Sequence, residues 1–338
     1  MAKTVNEAFA IFMREFVKLA PERNQKAKDS RDAMFDRIND LDDFFILYRE
    51  KHMQFGSFAR KTKIRPIDDI DLIICICGGD LEVVRGYNWN DYKLKLKNTN
   101  SYLKQYCDPS ITSFYGYGTP WYLNSNKIKN KFKSSLQNLH DCRKAELHSE
   151  GQAVTLQFSS YEWNFDIVPA FNCGDEASGT EYYLIPNGRG GWAKTNPKID
   201  RDRVASIDKK LNGKARELIR LAKYWNRRPT MASIPSYMLE AMVLNFCEQQ
   251  SEIKWIDLAF KSLIQYIGSS INYSVQDPKG IQGDLNSLNY GQKYSIQQRA
   301  NSDYQNACLA RQYEQNSNME TAIYYWRKVL GNDFPSYG

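Results

Sequence analysis

Residues that usually build zinc sites or thiol and imidazole catalysis are scarce in this chain. Only three of its 338 residues are histidine, His52, His140 and His148, and no HExxH occurs. The seven cysteines are Cys75, Cys77, Cys107, Cys142, Cys173, Cys247 and Cys308. Their number is odd and no CxxC is present, which argues against a disulfide framework and against a zinc cluster. Cys75 and Cys77 sit inside an apolar run and are expected as buried thiols. His140-Asp141-Cys142 are neighbours in sequence, and sequence neighbours do not make a catalytic triad. Asn187-Gly188-Arg189-Gly190-Gly191 lacks the GxxxxGK[ST] pattern, so it reads as a loop and not as a P-loop. The longest apolar run, Leu72 to Cys77, is far below the ~20 residues that span a bilayer. The N-terminus has no apolar signal core. These absences point to a soluble protein of a reducing, cytoplasmic compartment with no membrane partner.

The chain does have enough apolar mass to fold. Hydrophobic residues make up 42% and aromatics 13%, which excludes wholesale disorder. The length allows about two domains or one bilobal unit. The 46 basic and 39 acidic residues leave +7. That mild excess suits an anionic partner such as nucleotide or nucleic acid without requiring one.

Thr4 and Glu7 read as a capping box, and Phe9, Phe12, Met13, Phe16 and Val17 follow at helical spacing up to Pro21. A second helical pattern runs from about Asp29 to Glu50. Ile70 to Cys77 reads as a strand buried on both faces, ended by Gly78-Gly79. Asn90 to Tyr106 reads as a helix. Ala153–Phe158 and Trp163–Val168 read as strands, joined through Ser159-Ser160-Tyr161-Glu162. Residues 172 to 200 read as loop. Helices are expected over 205–227, 235–250, 253–267, 297–315 and 319–330. The order implies an α+β fold, with a catalytic lobe over 1–202 that includes the N-terminal helices and a helical lobe over 203–338.

The informative segment is Gly56-Ser57, eleven residues, then Asp69-Ile70-Asp71. Side chains alternate along a strand, so Asp69 and Asp71 share a face. Two adjacent carboxylates repel unless a cation lies between them, and oxygen ligands suit Mg²⁺ or Mn²⁺. Asp-x-Asp alone more often marks a solvated strand start. Gly56 changes that reading, because glycine permits close approach to a phosphate, and Ser57 adds two donors. Asp166, in Trp163-Asn-Phe-Asp-Ile-Val-Pro169, completes a triad if its strand neighbours that of Asp69. Three carboxylates holding two metals stabilise both the attacking and leaving oxygens of an in-line displacement, and Asp166 could accept the proton.

Gly-Ser, Asp-x-Asp and a distant Asp resemble the polymerase-β-like nucleotidyltransferases. The fuller wording resembles the bacterial cGAS/DncV-like nucleotidyltransferases, the CD-NTases. It comprises Gly56-Ser57-Phe58-Ala59-Arg60-Lys61-Thr62, Ile64 to Asp71, Phe165 to Phe171, Tyr183-Leu184-Ile185-Pro186 and Gly191-Trp192-Ala193-Lys194-Thr195-Asn196-Pro197. The resemblance spans roughly residues 40 to 300. It implies a bilobal core of mixed sheet and helices with a helical lobe, braced by the N-terminal helices. It implies joining of NTPs into a cyclic di- or trinucleotide messenger for anti-phage defence, read out by a downstream effector. ATP and GTP are the foremost expected substrates, with two Mg²⁺ or Mn²⁺ ions on Asp69, Asp71 and Asp166. Gln54, Gly56 and Ser57 would bind the donor triphosphate. In the helical lobe the matching motifs assign nucleotide contacts to Lys223 (in Lys-x-Trp), to Ser236 and Tyr237, and to Asp277. A Lys and a hydroxyl orient phosphate, and a Tyr face can stack on a base.

Two other readings stay open at this point: nucleotidyl transfer to RNA, tRNA or protein, and a degenerate fold that only binds. Lys127, Lys129, Lys131 and Lys133 read as a solvated face or as a patch for an activating nucleic acid.

Overall fold

The computed structural model describes residues 1–86, 88, 90–110, 119–138, 145–158, 162–174 and 178–338. His140, Cys142 and the Ser159-Ser160-Tyr161 connection lie outside the described residues. The described chain forms two compact units. One is Met1–Asn24, Arg60–Pro66 and Lys198–Gly338; the other is Gln25–Ala59 and Ile67–Pro197.

The second unit holds the sheet. Its strands are β1 (Met53–Gln54), β2 (Asp69–Ile76), β3 (Leu81–Arg85), β4 (Tyr92–Leu96), β5 (Cys107–Pro109), β6 (Trp121–Leu123), β7 (Glu146–Glu150), β8 (Ala153–Gln157), β9 (Asn164–Cys173), β10 (Tyr182–Pro186) and β11 (Trp192–Thr195). The main path runs β1-β2-β9-β10-β11-β4-β6-β5, with β3 on β4 and the β7–β8 hairpin on β9. β2 lies parallel to β9 along its length. On the other edge of β9, β8 pairs with the first half and β10 with the second, both antiparallel. β2 and the middle of β9 are buried on both faces. This agrees with the continuous Leu-Ile-Ile-Cys-Ile run. Cys75 is buried and Cys77, just past the strand, is half-buried.

Within the sheet, two stretches differ from expectation. Residues 90–106 are not a helix: β4 alternates Leu94 and Leu96 inward with Lys93 outward, and only Tyr102–Tyr106 makes a 3₁₀ turn. Residues 172–200 are not all loop: Tyr183 to Pro186 pair with Thr195 to Trp192 in the β10–β11 hairpin. Trp192 is fully buried there, its indole N–H donating to the Leu123 carbonyl at 3.0 Å.

α2 (Pro21–Asn39), most of which belongs to this unit, takes Pro21 as its first residue, where a missing N–H is harmless. The pattern read to Glu50 stops at Asn39. After the short turn α3 (Gly56–Ala59), α4 (Ser125–Asn138) buries Ile128, Phe132, Ser135 and Leu136 at i, i+4, i+7, i+8 spacing. The basic row lies on this helix and is not a uniform solvated face. Lys129 is buried and donates to the Gly151 carbonyl at 2.7 Å. Lys127 pairs with Asp108 and Lys131 with Asp43.

The first unit is helical: α1 (Val5–Phe12), α5 (Pro197–Lys210), α6 (Lys214–Asn226), α7 (Ser236–Glu248), α8 (Ile256–Ser270), α9 (Tyr290–Gln315) and α10 (Met319–Leu330). The pattern read as one helix from 205 breaks at Gly213, whose φ of +84° only glycine adopts easily. Thr4 accepts the Glu7 amide at 3.1 Å and Glu7 takes the Lys3 amide at 2.8 Å, so the cap forms one residue early on its return side. α1 packs into the core of this helical unit. Phe9 meets Trp326 edge-on at 4.8 Å and Phe12 meets Tyr224 at 4.8 Å. Amphipathicity shows which face of α1 is buried but not what buries it.

Candidate active site

Asp71 and Asp166 are register partners on the parallel strands β2 and β9, and Asp69 partners Asn164. Partners in register share a face, so Asp69, Asp71 and Asp166 lie together at the starts of the two strands. They are half-buried, while the alternating Ile70, Leu72, Phe165 and Ile167 are buried on the opposite face. The strand adjacency on which the triad depended is therefore met. Among the described residues no three His, Cys, Asp or Glu are placed to hold a metal alone. The donor set still fits a hard cation, since Mg²⁺ is typically held by one or two carboxylates with substrate phosphates completing its shell.

Gly56 is brought against this face by the β1–β2 pairing. Gln54 pairs with Leu72, and the Phe55 amide donates to the Asp71 carbonyl at 3.1 Å. Gly56 then turns with φ +70°, and a Cβ there would stand 1.8 Å from the Asp71 Oδ2. Glycine is required twice over, by conformation and by space. We expect Gly56→Ala to cut turnover about 10²-fold by displacing the Asp71 carboxylate. Steady-state kinetics beside a thermal melt checks this; near-native turnover would contradict it.

Ser57 is half-buried in α3. Gln54 Oε1 accepts from Arg31 at 2.9 Å, while its Nε2 is buried without an acceptor. Gln54 is thus braced from α2.

Sequence reasoning missed Thr155. It is the β8 register partner of Asp166, and its hydroxyl donates to Asp166 Oδ1 at 2.7 Å. The two strands were legible, and pairing them as a hairpin in register would have found it. Thr155→Val should lower turnover about 10-fold by freeing the Asp166 carboxylate to turn, with Thr155→Ser restoring it. A loss that Thr155→Ser does not recover would show that Thr155 only packs.

The helical-unit candidates already have partners within their own unit. Lys223, 8% exposed, donates to Glu240 at 2.8 Å and to Thr62 at 3.3 Å. Glu240, 2% exposed, also takes Arg60 Nε at 2.5 Å and the Thr62 hydroxyl at 3.0 Å. Burial alone would raise the Glu240 pKa; Lys223 and Arg60 overcome it and bring it down to about 2. Lys223 moves down as well. Burial dominates, and Arg60 both repels it and shares its carboxylate. Ser236 opens α7 and is exposed. The Tyr237 hydroxyl lies 2.7 Å from Asp200 and 2.9 Å from Asp277. Lys279 Nζ donates to that hydroxyl at 2.8 Å and stands 4.2 Å from the ring centroid. Burial and the two carboxylates push the Tyr237 pKa up, so its proton stays on. Asp277 accepts the amides of Lys279, Ile281 and Gln282, which shapes its own loop.

A mixed sheet that lays three carboxylates across adjoining strand starts, with a glycine turn pressed against them, defines a nucleotidyltransferase. Relatives narrow the class. Over its whole length the chain is 37% identical to a probable cyclic nucleotide synthase of Bacillus cereus (strain VD146), spanning 99% of that protein. It is 26% identical over 209 residues to a cyclic AMP-AMP-AMP synthase of an Acinetobacter species, covering 58% of this chain and 57% of that one. The fold matches Escherichia coli MS115-1 CdnC solved with ATP at a TM-score of 0.67, with 16% identity over 98% of this chain and 99% of the other. It also matches GTP-bound Vibrio cholerae DncV at 0.67, with 11% identity over 98% and 96%. No protein-family model matches. The chain belongs to the bacterial cyclic nucleotide synthases, the CD-NTase family, and is a nucleotidyltransferase enzyme. No helix among the described residues is long and apolar enough to cross a membrane.

Proposed function

We propose that this enzyme joins NTPs into a cyclic di- or trinucleotide by nucleotidyl transfer on Asp69, Asp71 and Asp166. The carrying observation is the shared face of the three carboxylates across β2 and β9, with Gly56 against Asp71. Asp69 and Asp71 would hold two Mg²⁺ or Mn²⁺ ions with Asp166. Bound there, the ions supply charge neutralisation at the attacking and leaving oxygens. Gly56 leaves room for the donor phosphates, and Ser57 offers a hydroxyl and an amide to them. Asp166, steadied by Thr155, accepts the proton as the acceptor ribose hydroxyl bonds to the α-phosphorus; the bond to the β-phosphate oxygen breaks and pyrophosphate leaves. A second transfer closes the ring. ATP and GTP are the expected substrates, from the nucleotides held by CdnC and DncV. Lys223, Ser236, Tyr237 and Asp277 remain proposed nucleotide contacts, and Lys223 must loosen from Glu240 to serve as one. An effector would read the product in anti-phage defence.

The test is stoichiometric. With the four NTPs, Mg²⁺ or Mn²⁺ and no added nucleic acid, ring synthesis releases one pyrophosphate per nucleotide incorporated and yields a phosphatase-resistant product. Incorporation only into added RNA would overturn the proposal in favour of a tailing enzyme.

A further inference from the structure

A second basic feature lies wholly within the helical unit and contains none of the residues assigned above. The end of α6 and the segment after it face the end of α10 across a cavity of about 670 Å³. That size lies in the range of small-molecule sites. Four cations line it, Arg227, Arg228, Arg327 and Lys328, against one carboxylate, Asp333. Asp333 is itself engaged, accepting the Tyr224 hydroxyl at 2.5 Å.

The cations are held in place but not neutralised. Arg228 donates to the Lys328 and Val329 carbonyls at the end of α10, Arg327 to the Phe334 carbonyl and Arg227 to the Arg65 carbonyl. Lys328 Nζ stands 4.7 Å from the Tyr324 centroid and 5.0 Å from that of Tyr325. Among the described residues none of the four forms an ion pair with a carboxylate. Neutral carbonyls orient a guanidinium without cancelling its charge, so the cavity keeps a formal +3. Burial above all, and then the neighbouring Arg299, lower the Arg228 pKa against the pull of the Asp303 carboxylate. A concave wall of one sign focuses its field on a multivalent anion.

The cavity is also aromatic. The Arg227 guanidinium lies 4.4 Å from the Tyr224 centroid, and Tyr324 is 52% exposed. Guanidinium planes and tyrosine faces are the surfaces on which nucleobases stack. We propose that this cavity is a second nucleotide-binding site. It takes a nucleoside polyphosphate, with the phosphates on Arg228, Arg327 and Lys328 and the base against Tyr324 and Arg227.

The experiment titrates ATP into the full-length chain carrying Asp69→Asn and Asp71→Asn, in EDTA, so that metal-dependent binding at the carboxylates is removed. Saturable binding that weakens with salt is expected. The exposed pair Arg227→Glu and Lys328→Glu, made together, should weaken it at least 10-fold, and Tyr324→Ala about 10-fold, with circular dichroism unchanged. Inorganic triphosphate should bind more weakly than ATP, respond to the charge reversal and ignore Tyr324→Ala. Absent metal-free binding, or an affinity indifferent to the charge reversal, would overturn the site. Triphosphate binding as tightly as ATP would make it a plain anion cleft and overturn the nucleotide assignment. A single-stranded oligonucleotide binding far more tightly than ATP through the same residues would overturn it in favour of a nucleic-acid strand.

Discussion

Asp69→Asn with Asp71→Asn is expected to abolish product formation, by at least about 10³-fold, while the protein still folds. Removing a single charge-stabilising group from a preorganised site typically costs 10²–10³ in turnover, and here two anionic ligands leave at once. Stability should barely change. Both residues are half-buried at a strand start, Asn preserves the shape, and the two negative charges share one face with Asp166. Relieving like-charge repulsion opposes whatever hydrogen bonding the substitutions lose. Turnover by the double variant beside its thermal melt separates the outcomes. Retained turnover would remove the carboxylates from the chemistry, and a collapsed melt would assign them to structure.

The second large effect is on folding. Glu240→Gln should destabilise the protein by about 3–5 kcal/mol, because it strands two buried cations, Lys223 and Arg60, beside a neutral amide. Lys223→Met should cost less, since Arg60 still answers the Glu240 carboxylate. Urea unfolding measures both. The pH dependence has a definite sign. Glu240 has its folded pKa depressed to about 2 from 4.5, so its contribution is complete above about pH 4.5 and fades as the pH falls toward 2. Such a depression is worth roughly 3 kcal/mol, in line with the mutational expectation. Between those pH values Glu240→Gln should therefore lose less stability than the native chain. Equal acid sensitivity would show that Glu240 is not the group that titrates.

The parts of the fold legible in the sequence were those with one strong local signal. β2 announced itself as a run of apolar residues too short for a buried helix, and α10 began at Met319 and ended at Leu330 as its periodicity indicates. β4 was misread because Tyr92, Leu94 and Leu96 alternate over only five residues, and Leu103 beyond them extends a false helical spacing. β10 and β11 were hidden by flanking glycines that serve the turn between them. Register, on which the site depends, is non-local. Asp69 and Asp71 were readable as a pair from their spacing, whereas Asp166 needed the β2–β9 pairing and Thr155 needed the β8–β9 pairing. The motif around Lys223 and Glu240 was equally visible, but not that the two side chains meet on neighbouring helices in a buried ion pair.

Ring closure is the central claim, and the mass of the product tests it most directly. From purified protein, NTPs and Mg²⁺ or Mn²⁺, the account predicts a product one water lighter than the corresponding linear oligonucleotide monophosphate, with no terminal phosphate to remove. A product carrying a 5′-triphosphate, or one that loses phosphate on phosphatase treatment, would contradict it.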